Sequence, residues 1–123
     1  MSKMFYILSL KWSRGFHGVL TWWGPNNSGY IFRLEDAGQY SEADISASPD
    51  YYNSGGHAVA VPVEVVEAVA IPASDCRSSY IERHRDGSNR VVRYGQLAAM
   101  KAGALRRGVG GGVAPTVNPS PGV

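Results

Sequence analysis

Hydrophobic and polar residues alternate from the first residues of the chain. Over Phe5–Ser13, Tyr6, Leu8, Leu10 and Trp12 share one parity, while Phe5, Ile7, Ser9 and Lys11 share the other. Aromatic and branched residues in this order predict a strand buried heavily on one face and partly on the other. Ser13–Gly18 holds two glycines and is expected to be a connecting loop, and Val19–Trp23 a second strand that pairs antiparallel with the first as a hairpin. Gly24-Pro25-Asn26-Asn27-Ser28-Gly29 gathers residues that favour turns through preset or positive φ or through side-chain bonds to the backbone, so the chain reverses there. Tyr30–Leu34 then completes a three-strand meander.

The next stretch carries helix signals. Glu35–Tyr40 is expected to bend, with Gly38 as the point of positive φ. Ser41-Glu42-Ala43-Asp44 matches a capping box, which predicts a short helix over Glu42–Ala47 that Pro49 terminates. Asp50–Gly56 is a loop by composition, although it holds Tyr51 and Tyr52. His57–Val61 is the fourth strand, and Val63, Val66, Val69 and Ala70 are spaced for a helix over Pro62–Ala70, which Pro72 stops. Farther on, Tyr80–His84 and Arg90–Tyr94 flank an Asp-Gly turn and suggest a hairpin, and Gln96–Arg107 suggests a final helix. The expected fold is α+β: an antiparallel sheet of three meander strands plus a fourth, with the two short helices on one face. It forms one small domain over residues 1–107, followed by a flexible Gly/Pro-rich tail over 108–123 that carries no charge.

Composition narrows the function classes. A hydrophobic content of 44% in 123 residues suffices for one core without metal or disulfide support, and the single cysteine, Cys76, allows no internal disulfide. No run reaches membrane-spanning length and no secretory leader is recognisable, so the expected setting is soluble and cytoplasmic. The charge is uneven. Residues 1–76 carry four basic against eight acidic groups, whereas residues 77–107 carry eight basic against two acidic. Arg83, Arg85, Arg90 and Arg93, on the arms of the expected hairpin, could engage phosphates; a solvated face has the same composition.

Candidate chemistry is sparse. There is no His-Glu-x-x-His, no paired Cys-x-x-Cys and no Gly-x-Ser-x-Gly. The glycines near residue 110 lack the lysine of a phosphate loop, so no metal, cofactor or catalytic residue is assigned and no enzyme is expected. The suggestive group is aromatic. Adjacent residues on a strand point to opposite faces, so one of Trp22 and Trp23 fills the core and the other faces outward. With Lys11, Arg14, Tyr30, Arg33, Tyr51 and Tyr52, the outward ring could bind a protein partner, stack a nucleobase or bury a homo-oligomer seam. A core flanked by a half-covered second sheet face has the same composition.

The series Tyr6-Ile7-Leu8-Ser9-Leu10-Lys11, Leu20-Thr21-Trp22-Trp23-Gly24-Pro25-Asn26, Gly29-Tyr30, Ala37-Gly38-Gln39-Tyr40-Ser41, Tyr51-Tyr52-Asn53-Ser54-Gly55 and Val59–Ala70 resembles a family of short, uncharacterised proteins of tailed phages and prophages, over about residues 4–72. The resemblance implies a bacteriophage accessory protein in the host cytoplasm, with roles in regulation or interference with host systems. It carries no fold, ligand or catalytic residue. The expected function is therefore binding of a host protein, with counter-defence inhibition as one form of it. The alternatives are a nucleotide or nucleic-acid binding module, and a virion or assembly component whose tail serves as an arm.

Overall fold

The fold is α+β, seen in a computed structural model that describes residues 3–76 and 89–105. Its centre is β1 (Met4–Ser9), six residues without a charge, of which Phe5, Tyr6, Ile7, Leu8 and Ser9 are all buried. One edge of β1 pairs along its length with β5 (Ala58–Pro62), from Phe5↔Pro62 to Ser9↔Ala58. The other edge is shared. β4 (Gln39–Ser41) takes Met4 to Tyr6, and β2 (Trp22–Trp23) takes Leu8. β3 (Tyr30–Ile31) pairs outside β2 in the register Trp22↔Ile31 and Trp23↔Tyr30. Every pairing is antiparallel.

The expected meander β1–β2–β3 is present, but its outer strands are short. Residues 18–20 leave β1 and pair instead with residues 92–94, through the Val19↔Arg93 bridge and the bonds Leu20 N–H to Val92 O (2.8 Å) and Tyr94 N–H to Gly18 O (3.0 Å). The Ser13 hydroxyl holds that divergence by accepting the Thr21 amide at 2.8 Å. Residues 39–41, assigned to the end of a bend and a helix cap from sequence, form β4, because their backbone groups find the free half of β1's edge. Arg90–Val91 (β7) pairs with Ile71–Pro72 (β6) in a second small sheet. Tyr80–His84, the other arm of the expected hairpin, and the tail lie outside the described residues.

The helices lie on both faces of the sheet, not one. α1 (Glu42–Ala47) and α2 (Pro49–Tyr52) cover the Phe5/Ile7 face through Ile45 and Tyr52. α3 (Val63–Glu67) and α4 (Leu97–Gly103) cover the Tyr6/Leu8 face through Val66 and Met100. β1 therefore needs no polar face, which is why both of its parities are apolar; each fully buried large side chain contributes about 1.5–3 kcal/mol. The capping box is formed as its sequence requires: the Ser41 hydroxyl accepts the Asp44 amide (3.1 Å) and the Asp44 carboxylate accepts the Ser41 amide (3.3 Å). Pro49 ends α1 and also starts α2, since a proline suits a first helical position, so Tyr51 and Tyr52 stand on a helical turn and not in a loop.

α3 is shorter than the expected Pro62–Ala70, with Pro62 closing β5 ahead of it. α4 stops at Gly103 rather than Arg107 because the chain turns away to lay Leu105 along β5. There the Leu105 amide donates to Ala60 O (2.7 Å), and the buried Asn53 amide group bridges, donating to Leu105 O (2.8 Å) and accepting from Ala60 N–H (3.0 Å). The outer edge of β5 is thereby satisfied rather than left open to another chain.

Gly38 does not supply positive φ; among the described residues the glycines that do are Gly18, Gly29 and Gly55. It is required for space, because a Cβ there would stand 2.6 Å from Pro25 Cα and 2.8 Å from Gly24 O, both backbone atoms. Gly38→Ala is expected to cost about 1–3 kcal/mol by overpacking, whereas Gly95→Ala, which meets nothing within 4 Å, is expected to leave stability unchanged or raise it by up to about 1 kcal/mol. Urea denaturation midpoints of the two variants check this.

Candidate recognition surface

Trp22 and Trp23 follow the strand rule, and the structure decides between them. Trp22 is the inward ring, fully buried against Tyr6 at a centroid distance of 5.8 Å, so its place among the candidate binding residues is corrected: α3, α4 and Val92 close over that face. Trp23 is half-buried on the other face. Its cross-strand partner Tyr30 shares that face and is exposed.

The turn between them is built from three residues of positive φ, Asn26 (54°), Asn27 (60°) and Gly29 (122°), which asparagine and glycine tolerate best. Tyr40 clamps it from below, its hydroxyl donating to Gly24 O and accepting from Asn27 N–H at 3.0 Å. Burial pushes the Tyr40 hydroxyl above its ordinary pKa, which keeps the donor proton in place. From the opposite side α2 delivers Tyr51 and Tyr52. The Trp23 ring meets Tyr51 edge-on at 5.1 Å and Tyr52 at 5.7 Å, and Tyr52 in turn meets Tyr40 at 5.4 Å.

Trp23, Asn27, Gly29, Tyr30 and Tyr51 line an open groove of about 150 Å³. Beyond Tyr30 the aromatic surface continues to Trp12, 5.8 Å away, whose ring carries Lys11 Nζ at 5.5 Å and the Arg14 guanidinium at 5.7 Å. Trp12, Tyr30 and Tyr51 are 39%, 55% and 54% exposed, the large exposed hydrophobics among the described residues; Tyr30 and Tyr51 line the groove and Trp12 stands against Tyr30. The groove thus offers apolar ring faces, with Tyr30 and Tyr51 exposed at its rim.

Lys11, Arg14, Trp23, Tyr30, Tyr51 and Tyr52 are thus brought to one surface. Arg33 is paired with Asp36, three residues on, and is not among the groove's lining residues. Asn27, Gly29 and Tyr40 were not singled out from sequence; the Asn-Asn-Ser-Gly turn was the available signal for the first two, and nothing local pointed to Tyr40 as its clamp.

The basic candidates behave differently. Arg90 sits between two carboxylates, its Nε on Glu35 (2.6 Å) and its terminal nitrogens on Glu67, while its backbone N–H also donates to Glu35. Its charge is neutralised within the fold. Arg93 donates to Asp75 O at 2.9 Å, and Arg83 and Arg85 lie outside the described residues. No group of three or more metal-ligating side chains occurs among the described residues, and none of their helices is long and apolar enough to cross a membrane.

Known proteins add no assignment. No family model matches the chain, and no curated protein and no solved structure shows significant similarity to it.

The Arg90 cluster has a pH signature. Hydrogen bonds from Arg90 hold Glu67 below the ordinary carboxyl range, and Glu35 is lowered as well, its bonds to Arg90 outweighing the opposing effect of burial. A lowered folded-state carboxyl pKa contributes stability above the unfolded value of 4.5 and loses it as pH falls below that. Tyr6, which donates to Glu67 at 2.8 Å, is pushed up to about 12 by burial first and by that bond second. Its contribution is intact below pH 10 and declines between pH 10 and about 12. Denaturation midpoints across pH are expected to fall at both ends, with Tyr6→Phe flattening the alkaline limb and Glu67→Gln reducing the acid one.

Proposed function

We propose that this chain is a small accessory protein that acts by binding and not by catalysis, and that its partner is a host protein held through the Trp23–Tyr30–Tyr51 groove. The observation that carries the reading is the convergence of aromatic side chains from the β2–β3 hairpin and α2 on one groove, whose aromatic surface Trp12 of the β1–β2 loop extends beyond Tyr30. Among the described residues most large apolar side chains are buried or half-buried, and holding tyrosines at more than half exposure adds little to stability. Such rings supply contact area at low entropic cost and dominate binding energies at interfaces. The resemblance to phage and prophage proteins supports a bacterial host cytoplasm as the setting and interference with a host defence as the role.

One observation favours a second reading. Trp12, flanked by Lys11 and Arg14 and standing beside Tyr30, combines stacking faces with cations, as a nucleotide or single-stranded nucleic-acid site requires. In that case Lys11→Ala with Arg14→Ala would lower the salt dependence of oligonucleotide binding by about one unit of log–log slope per lost phosphate contact.

Capture of a host protein from lysate by the tagged chain, compared with Trp23→Ala and Tyr30→Ala, separates the readings. Loss of about 2 kcal/mol of binding, or roughly thirtyfold, is expected for a central ring. For the exposed Tyr30, stability should stay within about 0.5 kcal/mol of the parent. Equal capture by parent and variants, or recovery of the chain's own copies only, would remove the protein-binding reading.

A further inference from the structure

We infer that the partner meets this surface with an acidic segment: one aromatic or large apolar side chain enters the Trp23–Tyr30–Tyr51 groove, and flanking carboxylates face Lys11 and Arg14. The inference deepens the protein-binding reading and rests on it. Its first support is charge that the fold does not use. Lys3 pairs with Glu64, Arg33 with Asp36, and Arg90 with Glu35 and Glu67. Lys11 and Arg14 are exposed, and among the described residues neither is in an ion pair. Both are drawn instead to one ring, with Lys11 Nζ 5.5 Å and the Arg14 guanidinium carbon 5.7 Å from the Trp12 centroid. The indole face attracts each cation, but two like charges gathered at one ring repel each other, and an anion placed beside them relieves that repulsion.

The second support is the backbone beneath these charges. The Ser9 hydroxyl accepts the Trp12 amide at 3.0 Å and the Ser9 carbonyl accepts the Ser13 amide at 3.1 Å, so the turn that carries Lys11 and Trp12 is bonded to the end of β1. Arg14 follows Ser13, whose hydroxyl accepts the Thr21 amide at 2.8 Å. Cations on a tied loop lose less freedom when a partner arrives.

The third is size and spacing. At about 150 Å³ the groove is smaller than the roughly 300–1,000 Å³ of a site for a drug-sized ligand, so it takes a single ring or branched side chain. Tyr30 joins the two parts of the surface, lining the groove and standing 5.8 Å from Trp12. On an extended segment that rises about 3.3 Å per residue, carboxylates roughly two to four residues from the anchor span that distance. Single-stranded nucleic acid fits less well. It stacks successive bases on a row of open rings, whereas this groove has room for one ring, and Trp12 already carries two cations and abuts Tyr30.

The experiment selects a random dodecapeptide library on the immobilised full chain. Peptides enriched on the parent are expected to carry an aromatic or large apolar residue with Asp or Glu within about four positions of it. Selection on Lys11→Glu/Arg14→Glu is expected to favour Lys and Arg at those positions, and selection on Tyr30→Ala to lose the enrichment. The best peptide should bind the parent more weakly as salt rises from about 0.1 M to 1 M, over which the Debye length falls from about 10 Å to 3 Å. In Lys11→Gln/Arg14→Gln that dependence should flatten. No enrichment, or acidic residues enriched equally on the parent and the charge-reversed chain, would overturn the inference. So would an oligothymidylate that binds the parent more tightly than the best peptide and loses its binding in both the Tyr30 and the Lys11/Arg14 variants, since the ligand is then single-stranded nucleic acid. Aromatic enrichment that needs Tyr30 but brings no acidic residues sinks the acidic segment and leaves the groove reading standing. Acidic enrichment that needs Lys11 and Arg14 but ignores Trp23→Ala and Tyr30→Ala removes the groove reading, and the inference with it.

Discussion

The structure depends on burying β1 on both faces and both edges. A strand of six uncharged residues can satisfy its backbone only through neighbours, and here three strands divide the work: β5 along one edge, β4 and β2 end to end along the other. The bond from Gly38 N–H to Trp23 O (2.9 Å) stitches the two half-edges together, and this close passage is what excludes a side chain from position 38. Because both faces are apolar, helices must cover both. The short α1–α2 pair on one side and α3–α4 on the other follow from that requirement, not from their own helix propensity, since helices of four to seven residues are marginal alone.

Double coverage also explains the candidate recognition surface. α2 is a single turn, too small to roof the Phe5/Ile7 face completely, so Trp23 is left half-covered and Tyr30 and Tyr51 extend past the core. The edges of this surface are held firmly all the same. Tyr40 reads the turn backbone at two points, and Asn53 ties the end of α2 to β5 and to Leu105. Exposed rings on a fixed frame are preorganised for contact, and that separates them from the apolar residues scattered over any protein surface.

Electrostatics plays a quieter part. Arg90 draws Glu35, Glu67 and, through Glu67, Tyr6 into one cluster that joins β7 to the main sheet and to α3. The cluster is partly open to solvent, so its value lies as much in registering the segments as in net stability. It also removes Arg90 from the basic surface that charge counting suggests for residues 77–107.

The chain's local signals were sufficient for several elements. The Ser41–Asp44 box located α1, the Gly24–Gly29 cluster located the reversal, alternation located β1 and β5, and the strand period required Trp22 and Trp23 to face opposite ways, because each of these is a contest between a residue and its near neighbours. What remained hidden was decided by partners far away in sequence. Which indole turned inward depended on α3 and α4 arriving on the Tyr6/Leu8 face. Residues 39–41 became a strand because half of β1's edge was free, Gly38 was needed because Pro25 passes over it, and Arg90 was neutralised only when Glu35 and Glu67 met it. A sequence states what each segment prefers; only closure of the sheet on both faces determines which groups are left at the surface, and in this chain those groups are the candidate site.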